Sequence, residues 1–299
     1  MKQDYYAAID IGSNAVRLLI KGRYALDSGD SVTSKEVMLR VPIRLGQDVF
    51  TTGRISDEKK RQLLMLIQAY KHVMQIYNIT PAHYRACATA ALREAENADD
   101  VLQAISESTR IRIEIISGEE EARIVYNNNV GFMNRHSGNF IYVDVGGGST
   151  EISLISEGEL IDTRSFNIGT VRMLNNAVKY SERTDMDLYL RRIAQTHPQL
   201  SIVGSGGNIN RLFRLSAAST SGAEYFDVSE LRDLHSRLKP LDIDERSRQF
   251  CLKPNRADVI VPAAEIFLSV AQSSGVSRIY VPTIGLADGI IDSLLQKNA

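Results

Sequence analysis

Apolar and polar positions along the chain follow two periods, one of two residues and one near 3.6. Tyr5 to Ile9 and Val16 to Ile20 are short apolar runs flanking Asp10-Ile11-Gly12-Ser13-Asn14, which predicts two strands joined by a tight glycine turn with a carboxylate at the tip. Ser56 followed by Asp57 and Glu58 is a helix-start signal. Leu63, Ile67, Tyr70, Val73 and Tyr77 then continue at helical spacing, so a long amphipathic helix is expected. A strand near Tyr84 to Ala88, a helix from Ala98 to Ile105 and the alternating strand Ile111 to Ile115 complete one α/β lobe.

The second half repeats the opening device. Tyr142-Val143-Asp144-Val145-Gly146-Gly147-Gly148-Ser149-Thr150 again sets an aspartate after an apolar strand and before a glycine turn and another strand. Asp10 and Asp144 thus occupy equivalent positions 134 residues apart. Such a repeat suggests an ancient duplication, with two similar lobes whose glycine turns converge on one cleft. A third glycine turn, Gly204 to Asn208, follows the apolar strand Leu200 to Val203, and Asn255 to Ala271 and Ala287 to Leu295 read as closing helices. The lobe boundary is placed near 122, giving an N-terminal lobe of residues 1–122 and a C-terminal lobe of 123–299, whose last helix is free to pack back on the first lobe.

Composition narrows the class. The chain has 299 residues, 43% hydrophobic and 24% charged, which suits a globular protein able to bury a large core. Thirty-five lysines and arginines balance 36 acidic residues, so the net charge of −1 supplies no global field for a nucleic-acid polymer or an anionic membrane. Any polyanion site must be local. The two cysteines, Cys87 and Cys251, have apolar neighbours and exclude a disulfide framework; they fit small core residues in a reducing, cytoplasmic setting. The start carries no apolar signal stretch, and the greasiest window, Val259 to Val270, is too short for a span of about 20 residues and contains Glu265, so no membrane segment is expected.

A glycine turn leaving a strand lets backbone N–H groups point inward without Cβ interference, forming an anion nest that suits phosphate oxygens. Two such turns preceded by an aspartate favour phosphate binding, because a carboxylate can hold Mg²⁺ beside it. Taken singly, each turn reads as a tight hairpin, and phosphate binding is favoured for the three glycine turns jointly. There is no G-x-x-x-x-G-K-[ST], and the five histidines, 72, 83, 136, 197 and 235, lack zinc-site spacing. Ser117 and Glu120 fit a capping box, and carboxylates near a helix start gain roughly 0.3–1 kcal/mol from its dipole. Glu121 is surplus to that cap and has two readings, a solvated helix residue or a general base for water attacking phosphorus.

Several ordered motifs together resemble the exopolyphosphatase and guanosine pentaphosphate phosphatase (Ppx/GppA) family: Asp10 to Asn14, Ala88 to Arg93, Ser117 to Ala122, Val143 to Glu151 and Asn255 to Asp258. The resemblance spans the whole chain. It implies an α/β fold of two actin-like (RNase H-like) lobes with an interlobe cleft, and Mg²⁺-dependent release of terminal phosphate from polyphosphate or guanosine pentaphosphate (pppGpp). By the same resemblance Glu121 matches the base that activates water and Asp144 the carboxylate near the metal, with Glu151 a further acidic group there. Ser13 and Asn14 match the first phosphate loop, Gly146, Gly147, Gly148 and Ser149 the second, and Arg93 the arginine facing the phosphate chain. Arg17, Arg44 and Arg172 are further candidates to line the cleft, each with a surface-charge alternative.

Ala15, Asn208 and Ala287 depart from the family pattern, where a hydroxyl residue, threonine and arginine are usual, and these are the positions where substrate preference would differ. Without the long helical extension and HD-type domain that larger relatives bear, the chain resembles the short two-domain form, and that form is expected. A small-molecule kinase of the same superfamily and a non-catalytic nucleotide-gated module are the alternative functions. A second copy of the chain, as a homodimer, is left open as a partner.

Overall fold

The hydrophobic pattern resolves into two separate cores, each behind one twisted sheet. The computed structural model describes residues 3–26, 31–133, 136, 138–220, 222–282 and 285–297. The chain divides into two compact units, Met1–Ile124 with Leu286–Ala299, and Val125–Gly285.

The first unit runs β1 (Gln3–Ile11), β2 (Val16–Ala25), β3 (Ser31–Val41), α1 (Leu45–Thr52), α2 (Asp57–Ile76), β4 (Tyr84–Ala88), α3 (Ala90–Glu94), α4 (Ala98–Thr109), β5 (Glu114–Ile115) and the start of α5 (Gly118–Met133). The second runs β6 (Asn139–Val145), β7 (Thr150–Ser156), β8 (Glu159–Phe166), α6 (Thr170–Leu174), α7 (Tyr180–Thr196), β9 (Ser201–Ser205), α8 (Gly207–Leu215), β10 (Tyr225–Asp227), α9 (Val228–Leu238), α10 (Ile243–Phe250), α11 (Pro254–Ala257), α12 (Ile260–Ser274) and β11 (Arg278–Tyr280). The last helix, α13 (Leu286–Lys297), belongs to the first unit.

The two sheets share one topology. The first has the order β3-β2-β1-β4-β5 and the second β8-β7-β6-β9-β11 with β10 added at the edge. In each, an antiparallel meander is followed by parallel pairing of the first strand with the strand after the crossover, β1 with β4 and β6 with β9. Two RNase H-like α/β lobes are the fold that the resemblance implied, and the similarity seen in two short motifs extends to the strand order.

Local chemistry explains the elements. Ser56 caps α2, its hydroxyl accepting from the Lys59 N–H at 3.3 Å, and Leu63, Ile67, Tyr70 and Met74 bury one face against the sheet. Three expectations need correction. Only Glu114 and Ile115 of the stretch 111–115 are strand, pairing with Cys87 and Ala88 at the end of β4; Ile111 is buried by packing without a ladder. The helix read over 255–271 is broken between Ala257 and Ile260, since Pro262 cannot donate to the carbonyl of Asp258 four residues back. Cys251 is exposed at a left-handed helix end, whereas Cys87 is buried in β4.

The final helix is fixed by charge and by a close crossing. Leu286, Ala287, Ile290 and Ile291 are buried as α13 packs across β1, β2 and β4. Buried Lys21 of β2 lies 3.1 Å from Asp288 and 3.3 Å from Asp292, and Lys35 of β3 lies 3.0 Å from Asp288. A side chain at Gly289 would stand 2.6 Å from the Ile124 carbonyl, so only glycine allows α13 to approach α5 so closely. Among the described residues no helix is long and apolar enough to cross a membrane.

Two outcomes follow for solution experiments. Lys21→Met strips a buried carboxylate of one of two cations and should cost about 2–3 kcal/mol, below the 3–5 typical of a broken buried pair because Lys35 remains; denaturant unfolding of the first unit measures it, and an unchanged midpoint would contradict the account. Burial pushes the Cys87 thiol up to about 12, so its thiolate is scarce until the pH nears that value. A thiol reagent at pH 8 should therefore label one cysteine per native chain, Cys251, and the second only after denaturation.

Candidate functional site

Both hairpin turns are built the same way. In the first, the Gly12 N–H donates to the Ala15 carbonyl at 3.1 Å; in the second, the Gly146 N–H donates to the Ser149 carbonyl at 2.9 Å. A Cβ added to Gly12 or Gly146 would meet that same carbonyl oxygen at 3.2 Å, so the turn closes tightly at both.

Each turn is then held from one side. The Ser13 carbonyl accepts from the Gly46 N–H at 2.8 Å and the Asn14 carbonyl from the Arg44 N–H at 3.0 Å, at the start of α1. Arg44 takes a left-handed backbone there, φ 61° and ψ 46°, an uncommon state for a bulky residue. In the second turn the Gly146 carbonyl accepts from the Thr170 N–H at 3.0 Å. The Gly147 carbonyl accepts from Val171 and Arg172 N–H at 2.8 and 3.1 Å. The Gly148 carbonyl accepts from Arg172 Nε at 2.7 Å. Arg172 is buried, so the surface-charge alternative does not hold for it. Thr150 Oγ1 locks the same segment from β7 by donating to the Ile168 carbonyl at 2.5 Å.

These bonds aim the amides. In a trans peptide the C=O and the following N–H point in opposite directions. With the carbonyls of Ser13, Asn14 and Gly146 to Gly148 drawn toward α1 and α6, the N–H groups of Asn14 and Ala15, and of Gly147, Gly148 and Ser149, face away from those helices. Consecutive amides aimed one way make an anion-binding concavity. The Asn14 side-chain oxygen is also buried with no hydrogen-bond partner among the described residues.

The two hairpins differ in the charge they set opposite the aspartate. In the first, Asp10 faces Arg17 across the ladder, and Arg17 Nη1 donates to its carboxylate at 2.7 Å. In the second, Asp144 faces Glu151, so the cross-strand pair is two carboxylates on one side of the sheet. Both are buried; Glu151 accepts from the Ser165 hydroxyl at 2.8 Å, and Asp144 Oδ1 lies 3.0 Å from where a Cβ of Gly206 would be. No group of three or more His, Cys, Asp or Glu residues suited to a metal occurs among the described residues. Two carboxylates with oxygen-only donors still fit Mg²⁺, which keeps several waters and uses one or two protein carboxylates beside phosphate.

The third turn belongs to the same end of the second sheet. Ser205 pairs with Asp144 in the ladder, and Gly206 adopts φ 102°, a backbone that favours glycine, before α8 begins. Arg256 of α11 packs against Gly207 and donates to Asn208 Oδ1 at 2.8 Å. Asn208, expected only as a departure from a threonine pattern, therefore anchors an arginine. Sequence reasoning did not single out Arg256 as a site residue; its position inside the Asn255 to Asp258 motif was the available signal.

In the first unit, Glu121 lies in the first turn of α5, buried at 9% exposure, which excludes a solvated helix residue. The cap is half formed: Ser117 Oγ accepts from the Glu120 N–H at 3.1 Å, but the Glu120 carboxylate turns to Arg85 at 2.7 Å instead of reaching back. Arg93 at the end of α3 is half-buried and donates to the Ile116 carbonyl at 2.8 Å, just before α5. It thus braces the segment that carries Glu121.

The comparisons with known proteins bear on the whole chain. A family model described as the Ppx/GppA phosphatase family matches residues 37–298. The guanosine-5'-triphosphate,3'-diphosphate pyrophosphatase of Aeromonas hydrophila is 27% identical over 306 residues, 98% of this chain and 60% of that protein. Exopolyphosphatase 2 of Mycobacterium tuberculosis is 27% identical over 317 residues, 96% of this chain and 98% of that protein. The chain thus spans about 60% of the length of the first relative and nearly all of the second. The crystal structure of the Aquifex aeolicus Ppx/GppA family member superposes with a TM-score of 0.75 at 25% identity and covers both chains completely.

The clasp on the second turn has a steric test. A Cβ at Gly169 would stand 2.5 Å from the backbone of Gly147 and Gly148. Gly169→Ala should destabilise the second unit by about 1–3 kcal/mol through overpacking. Thermal unfolding measures it, and a variant as stable as the parent would show that the turn and α6 are not in close contact.

Proposed function

We propose, from the premise that this chain belongs to the Ppx/GppA phosphatase family, that it is a phosphohydrolase releasing terminal phosphate from inorganic polyphosphate or guanosine pentaphosphate. The observation that carries the reading is that in each turn consecutive carbonyls, those of Ser13 and Asn14 in one and of Gly146 to Gly148 in the other, are drawn toward the neighbouring helix of the same unit, so that the amides following them face away from it. Phosphoryl transfer asks the protein mainly for positioning and charge stabilisation, which such amides supply without reorganising.

In this reading the amides of Gly147, Gly148 and Ser149, and those of the Ser13–Asn14 turn, bind the oxygens of the phosphate chain, with Arg93 as a cationic contributor. Asp144 and Glu151 hold Mg²⁺, which when bound neutralises charge on those oxygens. Asp10 is excluded from that task because Arg17 already compensates it. Glu121 accepts a proton from the attacking water as its oxygen bonds to the terminal phosphorus; the P–O bond to the shortened chain breaks, and the leaving oxygen departs with its electron pair.

Incubating the protein with polyphosphate or guanosine pentaphosphate and Mg²⁺ should release orthophosphate. Glu121→Gln should lower the rate by about 10²–10⁴-fold with substrate binding retained, the range for loss of a general base. Full phosphate release by that variant would remove Glu121 from the role, and no release by the parent chain from either substrate would remove the function.

A further inference from the structure

The three aimed amides of the second turn are not held by equivalent means. The Gly147 amide is set by its peptide partner, the Gly146 carbonyl, which accepts from the Thr170 main chain. The Gly148 amide is set by the Gly147 carbonyl, which accepts from the main chain of Val171 and Arg172. No side-chain substitution removes those bonds. The Ser149 amide is set by the Gly148 carbonyl, whose partner is a side chain, Arg172 Nε at 2.7 Å. The first turn has no such dependence, because the Asn14 carbonyl is held by the Arg44 main chain.

We infer that Arg172 is a positioning residue for phosphate in the second turn, fixing the direction of the Ser149 N–H from behind the loop; this rests on the phosphate-binding reading above. Arg172 is buried, with 7% of the residue exposed, and a guanidinium is a cationic donor with no acceptor of its own. A charged donor on the Gly148 carbonyl polarises the peptide and makes the Ser149 N–H a stronger donor toward an anion. The planar guanidinium suits the task, because its Nε donor is held in a fixed direction toward the carbonyl. Removing it leaves a buried carbonyl without its donor, and the peptide between Gly148 and Ser149 gains freedom to rotate.

The test compares Arg172→Met and Arg172→Lys with the parent chain by two readouts. Phosphate release is measured over a range of polyphosphate concentrations, and hydrogen exchange is followed at the amides of Gly147, Gly148 and Ser149 by NMR. Loss of a hydrogen bond to a charged group corresponds to roughly a tenfold to hundredfold effect, so KM should rise by about that factor for Arg172→Met, with kcat changed less than about threefold. Exchange should quicken at Ser149 and not at its two neighbours. Arg172→Lys, which keeps the charge without the planar Nε donor, should recover only part of the affinity; it also carries the test if Arg172→Met does not fold. An unchanged KM, or equal quickening at all three amides together with a general loss of stability, would overturn the assignment in favour of ordinary core packing. If the parent releases no phosphate, the functional reading fails by itself, and selective exchange at Ser149 still decides whether Arg172 sets that peptide.

Discussion

The structure depends on the planarity of the peptide bond. Because a carbonyl and the next amide are rigidly opposed, a loop can be made to face an anion without any contact on that face, simply by satisfying its carbonyls from the other. Both hairpins use this constraint. The short helices α1 and α6 matter less for what they bury than for the N–H groups at their starts, which draw in the carbonyls of the preceding turns. Glycine is required where the clasp closes, at Gly169 and Gly46, since a side chain at either would enter the turn it holds.

The two sheets share a strand order, and single ladder positions set the halves apart. Position seven beyond the aspartate is Arg17 in one hairpin and Glu151 in the other. The first choice closes an internal ion pair; the second sets two buried carboxylates opposite each other. Similarly, the helix that follows the last parallel strand begins with Glu121 in α5 and with Asp288 in α13. Asp288 is spent on Lys21 and Lys35 and serves to attach a helix.

Legibility in the sequence followed the range of the interactions. The Asp-x-Gly hairpins could be read because strand, carboxylate and turn lie within a dozen residues, and α2 because its apolar stripe and serine cap are local. Strand β3 gave no signal: it lies at a sheet edge with mostly exposed residues, so no period of burial marks it. The clasp was invisible for another reason. Gly148 and Arg172 are 24 residues apart, and Asn208 and Arg256 are 48 apart, with nothing in the intervening chain to pair them. A charged residue in isolation reads as solvated, and only coordinates reveal that Arg172 has been taken into the interior. Motif resemblance supplied the family and fold, while the geometry of the turns supplied the physical reason for those motifs.

The placement of α13 ties the order of synthesis to the order of folding. A ribosome delivers β1, β2 and β4 early, yet the helix that covers them emerges only after the entire second unit. During translation the apolar face awaiting Leu286, Ile290 and Ile291, together with Lys21 in its midst, has no native cover. The first unit therefore completes its own core only after the second has been synthesised, so folding of the two cannot run strictly in chain order.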